Sequence, residues 1–121
     1  MKTIKIAILG LLAAAAMSQA PAWAHAALEV ATPAKDAQLT SAPTAITLKF
    51  NEKLEASFSS IKINDSAGHA LASNKATLDV ADASTLQAQL PALKPGVYTV
   101  KWVAVGHDGH RRNGSYQFAV K

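Results

Sequence analysis

Three residues of this chain have the types and spacing to grip a metal ion together: His25, Asp108 and His110. Asp108 and His110 sit at i and i+2 in Gly106-His107-Asp108-Gly109-His110-Arg111-Arg112-Asn113-Gly114, the densest polar cluster of the sequence. In an extended backbone, side chains two apart point the same way, so this spacing predicts a carboxylate beside an imidazole. His25 follows Ala22-Trp23-Ala24, a small-x-small cleavage site. Cutting there makes His25 the first residue, and a terminal histidine offers both its α-amine and its imidazole to one ion. The expected set is three nitrogens and one carboxylate oxygen, which in a planar arrangement suits Cu(II). Zinc prefers the same donors in a tetrahedron. In model peptides the amine titrates near 7.7–8.0 and imidazole near 6.5, so a bound ion displaces protons and is held less tightly in acid.

That set depends on the cut. Lys2 and Lys5 precede an apolar stretch, Ile6–Met17, of about a dozen residues, well short of the roughly 20 that span a bilayer. Met1–Ala24 is therefore expected to be a cleaved export signal, and His25–Lys121 one small domain in the periplasm. A cut after Ser18-Gln19-Ala20 would place Pro21 just past the bond, which signal peptidase disfavours. The chain has no cysteine, so thiolate metal sites and disulfides are excluded and the core alone must hold the fold. Without Lys2 and Lys5, ten basic residues face eight acidic ones, a balance that gives no warrant for nucleic-acid binding.

The elements that must position the ligands read as strands. Ile46, Leu48 and Phe50 alternate with polar residues, as do Ile61 and Ile63, then Leu86, Ala88 and Leu90. Tyr98, Val100, Trp102 and Ala104 share one face, and Tyr116, Phe118 and Val120 repeat the pattern. Period-two alternation with turn signals at Ser41-Ala42-Pro43, Asn64–Gly68, Pro95-Gly96 and Arg112-Asn113-Gly114 predicts an all-β, immunoglobulin-like Greek-key sandwich or barrel of about seven strands. Leu93–Tyr98 reads as a tyrosine corner. Ala70–Asp82 alternates weakly. The cluster that holds Asp108 and His110 falls between the last two strands, as a loop or strand end. There His107 is expected to face away from the pair, and His69 to be solvated. Trp102, Tyr98 and Tyr116 fall on core-facing positions.

On these residues the chain resembles the CopC family of periplasmic copper-resistance proteins. The resemblance runs from His25 through Thr32-Pro33-Ala34, Phe50-Asn51-Glu52-Lys53-Leu54 and Pro95–Trp102 to Asp108-Gly109-His110 and Gly114–Phe118. It implies one Cu(II) per chain on His25, Asp108 and His110, with Glu52 at the position of a weaker additional ligand. It implies a carrier, buffer or delivery protein rather than an enzyme. The partner would be a CopD-type inner-membrane copper permease or another periplasmic copper protein, and a monomer is expected. Many relatives carry a methionine-rich Cu(I) site. Here the only methionines are Met1 and Met17, both within the expected signal, so that site should be absent. Two other classes stay open: an oxygen-activating copper enzyme built on a terminal histidine, and a metal-free immunoglobulin-like interaction module.

Overall fold

A computed structural model describes residues 27–71 and 75–121. Eight strands are found among them: β1 (Leu28–Thr32), β2 (Gln38–Leu39), β3 (Ala45–Phe50), β4 (Ser60–Asn64), β5 (Thr77–Leu78), β6 (Thr85–Gln89), β7 (Gly96–Val105) and β8 (Arg111–Val120). They form two four-stranded sheets, ordered β1-β3-β6-β5 and β2-β8-β7-β4. The chain crosses between sheets at every connection except β5–β6 and β7–β8, as a Greek-key sandwich requires. All pairings are antiparallel except β2 with β8.

The five alternating runs all form strands, because each has an apolar face to bury. Ile46, Leu48 and Phe50 of β3 and Leu86 and Ala88 of β6 point inward from one sheet. Ile61 and Ile63, Tyr98 and Val100, Tyr116, Phe118 and Val120 point inward from the other. Leu90 falls just past the end of β6 and packs against the core from there. The tyrosine corner is present: the Tyr98 hydroxyl donates to the Lys94 carbonyl. Trp102 meets Phe50 edge-on at 5.1 Å and lies close over Gly114 on the neighbouring strand. It is packed against the core, not laid open as a platform.

One turn expectation is corrected, and the weakly alternating stretch is resolved. Arg112-Asn113-Gly114 is not a turn but part of β8, paired with Trp102–Ala104, so the turn ends earlier, at His110. The weak stretch Ala70–Asp82 contributes a two-residue strand, β5, and an isolated bridge between Ala70 and Asn64.

The loop after β5 holds one end of the sandwich. Asp82 accepts from the Ser84 hydroxyl and amide and from the Thr85 hydroxyl. Its neighbours reach across, with Ser84 and Ala83 carbonyls accepting from the amides of Phe50 and Leu54. The Ser84 hydroxyl, then the Ser84 amide and Thr85, hold the Asp82 carboxyl below its ordinary value of 3.8, with Lys49 at 3.9 Å assisting. A folded-state value below the unfolded one means this contribution is fully present above the unfolded value. It is lost as pH falls through the folded one. Asp82→Asn should therefore unfold at lower urea than the native chain at pH 7, with the gap closing below about pH 4. A gap that persisted unchanged at pH 2–3 would refute this account of the loop.

Candidate metal centre

The short segment Asn51–Glu55, between β3 and a single 3-10 turn (Ala56–Phe58), organises this end of the molecule. Asn51 clamps the start of the described chain with two bonds. The Ala27 amide donates to Asn51 Oδ1 at 2.7 Å, and the Asn51 amide donates to the Ala27 carbonyl at 3.0 Å. Leu54 forms a β-bridge with Gly106, the His107 amide donates to the Lys53 carbonyl, and the Glu55 amide donates to the Val105 carbonyl. Glu52, between these anchors, is thereby delivered to the turn that follows β7.

That turn is Gly106–His110. The Gly109 amide donates to the Gly106 carbonyl, and the Gly106 amide donates to the His110 carbonyl. Gly109 adopts a φ of +81°, a left-handed conformation that a side chain would strain. Asp108 and His110 do meet, but not by the extended spacing expected. The chain is tightly turned, and the Asp108 carboxylate makes the juxtaposition itself. Its Oδ1 accepts from the His110 amide at 2.9 Å, and its Oδ2 lies 2.9 Å from His110 Nδ1. With the proton on Nδ1, this contact orients the ring and leaves the Nε2 lone pair as its donor to a metal. A carboxylate oxygen that accepts one hydrogen bond keeps a further lone pair for a cation.

Glu52 joins them. A Cβ built on Gly106 would collide with Glu52 Oε1 and stand 3.0 Å from Asp108 Oδ1, so the two carboxylates flank one small glycine. Among the described residues, Glu52 Oε1 is buried with no hydrogen-bond partner. A buried, unsatisfied carboxylate oxygen is costly, and a cation is the natural way to relieve it. The donor chemistry present, two carboxylates and an imidazole, fits a divalent ion of borderline or hard character. Among the described residues no group of three or more His, Cys, Asp or Glu side chains is placed to hold a metal ion by itself. His25, the remaining predicted ligand, lies outside those residues, as does the whole of Met1–Ala24.

His107 lies near Glu55, its Nε2 3.6 Å from Glu55 Oε1. His69 is solvent-exposed in its turn, 3.8 Å from Asp65. The roles of Asn51 as a clamp and Gly106 as the gap between two carboxylates had no signal in residue type. Both depend on contacts distant in sequence.

A family model described as the CopC domain matches residues 28–121. The chain belongs to the CopC family. It is 44% identical over 100 residues to Protein YobA of Escherichia coli K12, covering 82% of this chain and 81% of that one. It is 31% identical over 122 residues to Copper resistance protein C of Xanthomonas campestris pv. juglandis, covering 96% and 95%. Among solved structures, CopC from Methylosinus trichosporium OB3b superposes with a TM-score of 0.76 at 31% identity, over 80% of this chain and 94% of that one. The methionine-rich copper resistance protein PcoC from E. coli gives 0.72 at 31% identity, over 81% and 100%. The Greek-key sandwich is thus the CopC fold.

Gly109→Ala should cost about 1–2 kcal/mol in urea unfolding, the usual penalty for forcing a side chain into the left-handed region. The His110 amide, which depends on the turn, should exchange faster with solvent. Unchanged stability and exchange would show that the turn does not rely on that conformation.

Proposed function

We propose that this CopC-family protein is a periplasmic Cu(II) carrier that hands its ion to a partner and does no chemistry on an organic substrate. The reading assigns the ion to the His25 amine and imidazole, a ring nitrogen of His110 and a carboxylate oxygen of Asp108, with Glu52 as a weaker ligand. The observation that carries it is the buried, unsatisfied Glu52 oxygen facing Asp108 across Gly106, beside an imidazole already oriented by that aspartate. The clamp on Ala27 supports the rest. His25 is two residues upstream of the clamped Ala27, a span of at most about 7 Å, which keeps it within reach of this end of the molecule.

Ligand type sets the behaviour. Nitrogen and carboxylate donors favour Cu(II), and from His25 onward no methionine or cysteine offers sulfur to Cu(I). An anionic carboxylate on the ion makes reduction harder, which argues against oxygen activation. So does the packing of Trp102 against Phe50. The receiving partner, on the family resemblance, is a CopD-type permease or another periplasmic copper protein.

Electron paramagnetic resonance of the mature protein with one equivalent of Cu(II) should give a type-2 spectrum with nitrogen couplings that His110→Ala changes. One additional residue before His25 should weaken Cu(II) at least about a hundredfold, about 2.7 kcal/mol, by removing the amine–imidazole chelate. Gly106→Ala, which displaces the Glu52 carboxylate, should weaken it less than that. Full affinity in the extended protein, or a spectrum indifferent to His110, would overturn the assignment. Turnover of a reductant and oxygen above that of free copper would favour the enzyme instead.

A further inference from the structure

The charge carried on the strands is one-sided. The sheet β2-β8-β7-β4 holds Lys62, Lys101, Arg111 and Arg112 and not one acidic residue, although the chain has eight. Lys62 stands directly across from Lys101 in the β4–β7 register. Like charges at opposed cross-strand positions destabilise a sheet. Among the described residues, neither lysine nor Arg111 forms an ion pair.

These three cations line a hollow of about 490 Å³ on the outer face of the sheet, and among the described residues no acidic side chain lines it with them. A second hollow, of about 640 Å³, continues it toward the Gly106–His110 turn, sharing Ser60, Val103 and Arg111. Its walls are more apolar, with Phe58 and Val105, and Phe58 is 68% exposed. The one acidic residue there, Glu55, is 3.6 Å from His107. The result is a trough, basic at one end and apolar at the other, that closes on the glycines of the turn holding Asp108 and His110.

We propose that this trough docks an extended acidic segment of a partner protein, with carboxylates between Lys62, Lys101 and Arg111 and an apolar side chain against Phe58 and Val105. A carboxylate placed between the opposed lysines removes their mutual repulsion, which nothing within the sheet does. From Lys101 to Val105 the trough runs about 13 Å, the length of roughly five extended residues. A lipid surface fits poorly, since a planar headgroup layer does not enter a concavity. The seated segment ends beside the proposed copper ligands. That consequence rests on the copper reading, whereas the binding itself does not.

The test uses the copper-free mature protein, so its failure leaves the copper assignment standing, and the reverse. Nitrogen-15 NMR would follow titration with a blocked hexapeptide of three glutamates then three leucines. Parallel titrations would use its lysine-for-glutamate analogue, phosphatidylglycerol vesicles and inorganic phosphate. Saturable shifts are expected at the outer-face residues of β4, β7 and β8 and at Phe58, with the acidic peptide alone. Lys62→Glu, whose new pairing with Lys101 keeps the sheet intact, should weaken that binding at least tenfold. Shifts that are absent or scattered, indifference to Lys62→Glu, or equal occupancy by vesicles or by phosphate would overturn the proposal.

Discussion

The structure of the candidate site depends on how Asn51–Glu55 is stitched to three separate parts of the chain. Its amides and carbonyls bond to Ala27 at the start of the described chain, to Ala83 in the β5–β6 loop, and to Val105 and His107 at the end of β7. Each bond satisfies a backbone group that would otherwise be left over where β3 ends, so the segment has little freedom. Fixing it fixes Glu52, and the absence of a side chain at Gly106 lets that carboxylate approach Asp108. The site is therefore a product of the crossing between the two sheets rather than of any one loop.

Much of this was legible in residue order. The β3, β4, β6, β7 and β8 strands announce themselves because one face of each is buried, and burial writes period two into the sequence. β1 sits at a sheet edge with most of its residues exposed, and β2 and β5 are two residues long. Neither kind has a buried face long enough to leave an alternation. The long reach of β8 was hidden for another reason. Arg112-Asn113-Gly114 has turn composition, but its backbone is paired residue by residue with β7, and pairing overrides local preference.

The Asp108–His110 pair shows the same limit at finer scale. Spacing predicted that these two side chains meet, and they do, but through a different geometry. An extended segment would have left the carboxylate and imidazole as parallel neighbours, whereas the turn lets Asp108 bind both the amide and the ring of His110. The second arrangement is the more restrictive, since it sets the ring's orientation before any ion arrives. Residue types carried the chemistry, and the left-handed Gly109 carried the geometry.

Preorganisation of this kind has a cost that the rest of the fold must sustain without disulfides. Glu52 is held with a carboxylate oxygen out of water and out of hydrogen-bond reach of the described residues. The buried core, Ile46, Leu48, Phe50, Leu86, Val100 and Phe118 among it, offsets that penalty through apolar burial. A cation that met the orphaned oxygen would bind the folded chain and not the unfolded one, and would so add to stability by mass action. The same oxygen would thus tie any binding of a cation there to folding. The sulfur-free donor set decides which metals could use it.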